Sequence, residues 1–262
     1  MATRNKAPVK GTSRAVVVEQ VRAALPRHPL LAGCTAAVIE SVLAHGRIEV
    51  FEPGSLLSRE GDVADYWLLC RGSTRVFYRS ASGVEVTVKL FSAPAAWAEM
   101  EVLTGNHHME DCSAVDRVVV VRIPAARFVH LLEAEPRFMR NVLEDTAARF
   151  YVAAQSEKRL AFAAVEERVA HLLLSYLRLF GVIVVDGTAI SVKLSQADIA
   201  NGIGAVQKSV TRTLSTWQRR GLVSKRGASY VVHDVDALAA LSPIDVAGID
   251  FVAGRTTAPK PT

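Results

Sequence analysis

The fold of this chain is decided by residues 194–217, which read LSQADIANGIGAVQKSVTRTLSTW. Ser195 followed by Asp198 has the spacing of a capping box, which predicts the start of a short helix. The glycines at Gly202–Gly204 should end that helix in a turn, and a second helix should run over Val206–Arg220. The pattern therefore predicts a helix-turn-helix.

The second of these helices has two contrasting faces. At 100° per residue, the apolar side chains that should dock on the domain are Val206, Val210, Leu214 and Trp217. The opposite face, with Gln207 and Thr211 beside it, carries Lys208, Arg212, Ser215 and Arg219. Amide, hydroxyl and cationic donors of this kind contact base edges and phosphates in a major groove. We expect this face to bind DNA, and an ordinary solvated basic face is the alternative.

A basic turn follows the two helices. Residues 222–232, LVSKRGASYVV, predict two short strands around Lys225 and Arg226, which is the pattern of a wing that lies beside the helix and meets backbone phosphates. The segment between Val192 and His233 has a net charge of +6, whereas the whole chain has +5, so the rest is close to neutral. The candidate DNA-binding residues are Gln196, Gln207, Lys208, Ser209, Thr211, Arg212, Arg219, Lys225 and Arg226.

A long helix is predicted from Pro136 to about Ala163. Residues spaced alternately by three and four positions form a candidate dimer seam, which comprises Leu143, Thr146, Phe150, Ala153, Glu157 and Leu160. Packing of this helix on its own domain is the alternative. A further helix is expected over 165–180, and then a hairpin through an Asp186-Gly187 turn.

The N-terminal half has a different pattern of predicted secondary structure. Helical periodicity over 16–25 and 36–44 is followed by short β-rich runs with glycine turns from Arg47 to Pro124, which indicate an antiparallel barrel or roll. The expected α+β chain has a jelly-roll-like sensor domain over 15–135, a dimerisation helix over 136–163 and a winged helix over 164–245. We expect tails at 1–14 and 246–262, of which residues 1–14 and 254–262 should be disordered.

From about Leu30 to Leu241 the chain resembles the Crp/Fnr family of transcription regulators. The sensor half shows the family's ordered glycine pattern, which appears as FEPG at 51–54, REGD at 59–62, LCRG at 69–72, GVE at 83–85 and WAEM at 97–100. The resemblance implies a homodimer that binds a pseudo-palindromic double-stranded DNA operator, with RNA polymerase as a further candidate partner. Because the sequence shows neither a targeting signal nor a membrane-spanning run, we expect the protein to be cytoplasmic.

The recognition helix departs from the family pattern, which usually begins Ser/Thr-Arg-Glu-Thr-Val. Here Val206 replaces the capping hydroxyl, Gln207 replaces the arginine and Lys208 replaces the glutamate, while Arg212 is retained. Arginine and lysine suit guanine, and glutamine suits adenine. We therefore expect a half-site unlike the family's common one.

The sensor half departs from the family's cyclic-nucleotide cassette. Ala98 stands in place of a glycine, and residues 106–113 contain no lysine or arginine to pair with a phosphate. On the long helix, Ala153-Ala154 stands where nucleotide-binding relatives present Thr-Ser. We expect an effector other than cAMP or cGMP, and no cofactor, with a candidate effector pocket at Glu99, Met100, His108, Ser113, Ala153 and Ala154.

Other functional classes find less support. A polar loop is favoured over a metal site at residues 107–112, and three separated cysteines do not match an iron–sulfur cluster. The chain shows no secretory signal, no apolar run long enough to span a membrane, and no nucleophile elbow, P-loop or HExxH motif, so we expect neither a membrane protein nor an enzyme. The remaining alternative is a ligand-independent interaction protein whose winged helix contacts protein.

Overall fold

A computed structural model describes residues 14–81, 83 and 85–242. These residues form two compact units. The first extends to Arg75 and resumes over Phe91–Asp145, and the second comprises Val76–Leu90 and the residues from Thr146 onward. The tails expected at 1–14 and 246–262 lie outside the described residues, except that Arg14 begins the first helix.

The first unit begins with the two helices that the periodicity predicts. Helix α1 is Arg14–Ala24 and α2 is Ala36–His45, and two single 3-10 turns, Leu25–Arg27 and Pro29–Leu31, connect them. Val21 and Val42 are almost fully buried, because each helix turns its apolar side toward the same core.

Eight strands follow, interrupted by one short helix, and form two antiparallel sheets. They are β1 Arg47–Phe51, β2 Leu56–Ser58, β3 Tyr66–Arg71, β4 Ser73–Arg79, β5 Glu85–Ser92, β6 Ala95–Trp97, β7 Asp111–Ala114 and β8 Val118–Ile123. Helix α3, Glu99–Thr104, lies between β6 and β7, and α4, Ala125–Ala134, follows β8. The strand orders are β1-β8-β3-β6 and β2-β7-β4-β5. The expected antiparallel roll is confirmed.

The two faces of the first sheet have different neighbours. Tyr66 and Leu68 of β3 belong to one core with residues of α1, α2 and α4, and the Tyr66 ring stacks on Phe128 with centroids 3.9 Å apart. Because side chains alternate along a strand, Trp67 and Leu69 lie on the other face of the sheet. Both are also fully buried, so each face of β3 packs against other parts of the protein.

The long helix is continuous. Helix α5 is Pro136–Phe162, 27 residues, and α6 is Val165–Phe180. The first part of α5 is tied to the N-terminal segment by Asn141, whose buried Nδ2 donates to Leu30 O and Ala32 O, each at 2.9 Å. Satisfying a buried amide in this way fixes the position of the helix start.

The second unit contains a winged helix-turn-helix. Its remaining elements are β9 Gly181–Val184, β10 Gly187–Ile190, α7 Gln196–Gly202, α8 Gln207–Arg219, β11 Val223–Arg226, β12 Ser229–Val232 and α9 Val235–Ala240. The four strands form one antiparallel sheet in the order β11-β12-β10-β9.

The turn of the β9–β10 hairpin differs from the expectation. Gly187 pairs with Val184, so the two-residue loop is Val185-Asp186 and not Asp186-Gly187. Gly187, at φ 146°, lies against the neighbouring strand, where a Cβ would come 2.2 Å from the carbonyl oxygen of Val232. The glycine is therefore needed for the close approach of β12, and this moves the turn by one residue.

Candidate nucleic-acid interface

The first helix of the helix-turn-helix begins at the predicted capping box. Ser195 Oγ accepts a 3.1 Å hydrogen bond from Asp198 N, and Asp198 Oδ2 accepts a 2.8 Å hydrogen bond from Ser195 N. Two backbone donors that the helix cannot satisfy internally are thereby paired. Ile199 and Ala200 face the core behind them.

The second helix, α8, has the predicted buried face with one exception. Val210, Leu214 and Trp217 are fully buried, but Val206 is 69% exposed. Val206 occupies the N-cap position, where its side chain makes no capping hydrogen bond. A residue at the N-cap has non-helical backbone angles, so the helical wheel does not apply to it, and the placement of Val206 on the docking face was wrong.

The opposite face of α8 is exposed. The side chains of Gln207, Lys208, Thr211, Arg212 and Arg219 are open to solvent, and Ser209 is half-buried. Among residues 14–81, 83 and 85–242, no acid pairs with the side chains of Lys208 or Arg212. Two unpaired cations on one face of a helix are available for an external anion.

Gln196 and Thr211 contact each other within the candidate interface. Thr211 Oγ1 donates to Gln196 Oε1 at 2.6 Å, and it lies 3.0 Å from Gln207 O in its own helix. Burial raises the pKa of the Tyr230 hydroxyl on β12, and the Gln196 side chain partly offsets that rise. Gln196 therefore connects the start of α7 to the exposed face of α8 through its hydrogen bond with Thr211.

The buried face of α8 is held by a hydrogen bond that the sequence did not reveal. Trp217 Nε1 donates to Glu166 Oε1 at 2.7 Å. Glu166 lies in the first turn of α6, where the helix dipole favours a carboxylate. The nearest sequence signal is only the acidic pair at the start of that helix.

The predicted wing is present. Strands β11 and β12 pair from Val223↔Val232 to Arg226↔Ser229, with Gly227 in the left-handed conformation at the tip. Lys225 and Arg226 are exposed at this tip. His233 braces the wing, because its Nε2 hydrogen-bonds Ser224 Oγ at 2.9 Å and its Nδ1 hydrogen-bonds the carbonyl of Asp186.

The region that corresponds to the family's cyclic-nucleotide cassette includes Ala98 and residues 106–113. Ala98 has a backbone conformation that is typical of glycine. Ala98 has φ 76°, the left-handed conformation that glycine adopts without strain, and it is 4% exposed. Glu99 follows at the start of α3 and is 1% exposed, whereas Met100 is 45% exposed. The structure thus separates these two predicted pocket residues, one inside the unit and one on its surface.

An acidic residue of segment 106–113, which contains no lysine or arginine, hydrogen-bonds the backbone of another loop. Asp111 Oδ1 accepts a 2.9 Å hydrogen bond from Glu60 N, and Asp111 is 7% exposed. His108 and Ser113 are buried in the same unit, and burial lowers the pKa of His108. Asp111 therefore stabilises the loop that contains Glu60. The sequence analysis did not predict this structural role.

The predicted seam on α5 is exposed in the single chain. Leu143 is 65%, Phe150 74% and Leu160 55% exposed, and the Ala153 and Glu157 side chains are also open to solvent. Thr146 is half-buried. Met139, 48% exposed, continues the same spacing four residues before Leu143 and was missed, although that spacing could have identified it. Ala153 and Ala154 lie in the second unit, on the exposed part of α5.

Among the residues that the structure describes, no helix is long and apolar enough to cross a bilayer. The same residues bring together no group of three His, Cys, Asp or Glu side chains that could hold a metal ion.

Comparison with known proteins matches both halves of the chain. Residues 48–135 match the cyclic nucleotide-binding domain, and residues 167–241 match the Crp-like helix-turn-helix domain. The global nitrogen regulator of Nostoc sp. is 27% identical over 189 residues, which cover 71% of this chain and 85% of that protein. The cAMP-activated global transcriptional regulator CRP of Salmonella typhimurium is 23% identical over 202 residues, 76% of this chain and 95% of that protein.

Solved structures share the fold. The c-di-GMP responsive global regulator CLP of Xanthomonas campestris superposes with a TM-score of 0.66 at 20% identity, covering 76% of this chain and all of that one. In this chain the cyclic nucleotide-binding domain precedes the helix-turn-helix domain. The chain belongs to the Crp/Fnr family of transcription regulators, with a cyclic nucleotide-binding domain followed by a Crp-like helix-turn-helix DNA-binding domain.

Proposed function

We propose that this regulator binds a pseudo-palindromic DNA operator as a homodimer and is not controlled by cAMP or cGMP. The observation that carries the proposal is the exposed basic surface of α8 and the wing. Its cations are Lys208, Arg212, Arg219, Lys225 and Arg226. They lie on the element that enters the major groove in helix-turn-helix proteins, and on the hairpin beside it.

The residues of the interface have different roles in this proposal. Gln207, Lys208, Ser209 and Arg212 contact bases or phosphates, while Arg219 and the wing cations contact backbone phosphates. Gln196 and Thr211 belong to the same surface, and their 2.6 Å hydrogen bond sets the position of α8 against α7. Binding should therefore weaken steeply with salt, because each neutralised phosphate releases counterions.

Charge reversal tests the DNA surface. The double variant Lys208→Glu/Arg212→Glu should reduce operator affinity by more than about a hundredfold, and should lower the slope of log affinity against log salt by about 3 to 4 for a dimer. Fluorescence anisotropy over a salt series measures both quantities. Arg27→Glu/Arg127→Glu, at exposed arginines of the first unit, changes net charge equally and should leave both nearly unchanged. Unaltered operator binding by the α8 variant would contradict the proposal and favour a protein partner.

The homodimer is proposed from the seam of α5. Three large apolar side chains at heptad spacing are more than half exposed, namely Leu143, Phe150 and Leu160. Pairing with the same helix of a second copy would bury them. Phe150→Glu should therefore produce monomers in analytical ultracentrifugation and weaken operator binding. Tyr151→Glu, at a position 61% exposed but off the seam, is the matched control. Equal dimerisation of the two variants would contradict the seam.

Independence from cAMP and cGMP is proposed from the cassette region. Residues 106–113 supply no cation, Asp111 is already committed to Glu60 N, and Ala98 places a methyl group where the family has none. Each missing charged hydrogen bond forfeits about 1.5 to 3 kcal/mol of binding. Calorimetric titration with either nucleotide should detect no binding in the micromolar range, and micromolar affinity would contradict the proposal.

The remaining assignments follow from family membership. We propose a sensor domain over 15–135, a dimerisation helix over 136–163 and a winged helix over 164–245, within a cytoplasmic protein that is not an enzyme. The effector pocket is proposed at Glu99, His108 and Ser113, which are buried in the first unit, with Met100 at the surface of the same unit. RNA polymerase is proposed as a partner because the family regulates transcription.

A further inference from the structure

The face of the first sheet that is turned away from helices α1, α2 and α4 carries an unusual set of side chains. Trp67 on β3 and Trp97 on β6 are cross-strand partners, so both lie on this face. Leu69 on β3 pairs with Val120 on β8, and both are completely buried there. The result is an apolar surface inside the first unit, dominated by two indoles.

The aromatic rings on this face form a row. The rings of Trp67 and Trp97 are nearly parallel, with centroids 5.7 Å apart, and Phe91 stacks on Trp97 at the same distance. Phe51 meets Trp67 at 6.3 Å. The separations are those of direct offset stacking, so a flat molecule would lie along the row and not between the two indoles.

Both indole N–H groups in this row lack an acceptor. Trp67 is 1% and Trp97 7% exposed, and Nε1 of each is buried without a hydrogen-bond partner among the described residues. Buried tryptophan N–H groups usually find a partner. The third tryptophan of the chain follows that rule, because Trp217 Nε1 donates to Glu166. Two adjacent exceptions on one face indicate that something else supplies the acceptors.

We propose that this face binds a small, flat, uncharged molecule with hydrogen-bond acceptor atoms, such as an aromatic carbonyl compound. The indole N–H groups of Trp67 and Trp97 donate to its acceptors, and its ring packs along the aromatic row. The proposal deepens the proposed function, and rests on it only for the claim that such a molecule acts as effector. Binding itself is a property of the first unit.

The charges near the row favour a neutral ligand. Arg122 is the cross-strand partner of Trp67, and its guanidinium lies over the indole at 5.2 Å from the ring centroid. Arg122 Nε is already engaged by Asp65 at 2.7 Å, and Glu49 lies 3.9 Å from its Nη1. The cation is therefore balanced by two acids. An anionic ligand would be buried among Val118, Val120 and Leu69 without a counter-charge, which is strongly unfavourable.

The three tryptophans make the experiment selective. In the full-length protein labelled with ¹⁵N, the indole N–H signals of Trp67, Trp97 and Trp217 are assigned with Trp67→Phe and Trp97→Phe. Acetophenone is the probe, ethylbenzene is the same shape without an acceptor, and benzoate is the charged analogue. We expect acetophenone to shift the signals of Trp67 and Trp97 saturably and to leave that of Trp217 in place. Ethylbenzene should bind about tenfold more weakly, and benzoate about tenfold more weakly or not at all.

Trp97→Phe separates hydrogen bonding from packing, because it keeps an aromatic ring and removes the donor. It should weaken acetophenone binding about fivefold to tenfold and leave ethylbenzene binding unchanged. If acetophenone gives no saturable shift at millimolar concentration, or if wild-type protein binds ethylbenzene equally well, the proposal is overturned. These titrations contain no DNA, so a failure here is distinct from a failure of the salt-series experiment on the operator.

Discussion

Glu166 at the start of α6 accepts a 2.7 Å hydrogen bond from the indole of Trp217 on the buried face of α8. Trp217 is fully buried, and the basic side chains of α8 project from the opposite side of the same helix. The orientation of the proposed DNA-contacting face thus depends on a contact that touches no DNA.

Removing that contact should weaken both the domain and operator binding. Glu166→Ala leaves a buried indole N–H unpaired, and we expect a loss of about 1 kcal/mol in the free energy of unfolding, since the carboxylate itself is exposed. Operator affinity should fall about fivefold as α8 gains freedom to shift. Urea denaturation and anisotropy measure the two effects. Glu167→Ala removes the next acid of the same helix turn, and identical behaviour of the two variants would refute the positioning role.

The recognition helix should select an unusual half-site. Gln207 and Lys208 stand where the family has arginine and glutamate, and both are exposed. Selection from random DNA should therefore recover a half-site that differs from the family's common one, and Gln207→Arg/Lys208→Glu should move the selected sequence toward it. Recovery of the common half-site by both proteins would contradict the prediction.

Glu157 should limit the stability of the proposed dimer. It occupies a seam position, and in a parallel pair of α5 helices it would face the partner's Glu157, where like charges repel. Glu157→Leu should lower the dimer dissociation constant about tenfold, measured by sedimentation. Lys158→Leu adds the same side chain at the next exposed position, off the seam. A dissociation constant that Glu157→Leu leaves unchanged would argue against a parallel seam.

The first unit should lose stability in mild acid because of His28. Burial lowers the pKa of His28 from 6.5 to about 4, and the neutral ring donates from Nε2 to Ala95 O while Nδ1 accepts from Leu30 N. The unfolded chain binds this proton more readily, so stability is complete above pH 6.5 and declines as the pH falls toward 4. The full effect is about 3 kcal/mol.

His28→Gln tests this account. The variant should be less stable at pH 7 and should show a flatter decline between pH 6.5 and 4 in denaturant titrations. His130→Gln, at an exposed histidine of α4, should keep the wild-type profile. An unchanged slope in His28→Gln would show that another group causes the decline.

Much of the fold could be predicted because its signals are local. The capping box at Ser195, the basic wing turn at Lys225 and Arg226 and the uninterrupted helix from Pro136 are each signalled by residues close together in the chain. Short β-rich runs separated by glycine turns likewise predicted an antiparallel roll. The hairpin turn at Val185-Asp186 was misplaced by one residue, because the approach of Val232 to Gly187 comes from a strand more than forty residues later.

In the candidate interface, too, some features could be predicted from the sequence and others could not. Which side chains of α8 face outward followed from helical periodicity, and those predicted to contact DNA are exposed or half-buried. The hydrogen bond between Thr211 and Gln196 could not be predicted, because two exposed polar residues 15 positions apart give no periodic signal. The same holds for the indoles of Trp67 and Trp97, whose missing acceptors become visible only when every neighbouring atom is placed.

Residue types and their spacing were sufficient to predict the order of the elements, the basic face of the second helix of the motif, and the loss of the phosphate-binding cation from residues 106–113. Those properties depend on residue type and short-range spacing, which a sequence states directly. The folded protein was needed to identify the acceptor of the Trp217 indole, the loop that Asp111 hydrogen-bonds and the indole donors that have no acceptor in the aromatic row. Hydrogen bonds and burial depend on distances between atoms that the chain brings together only on folding.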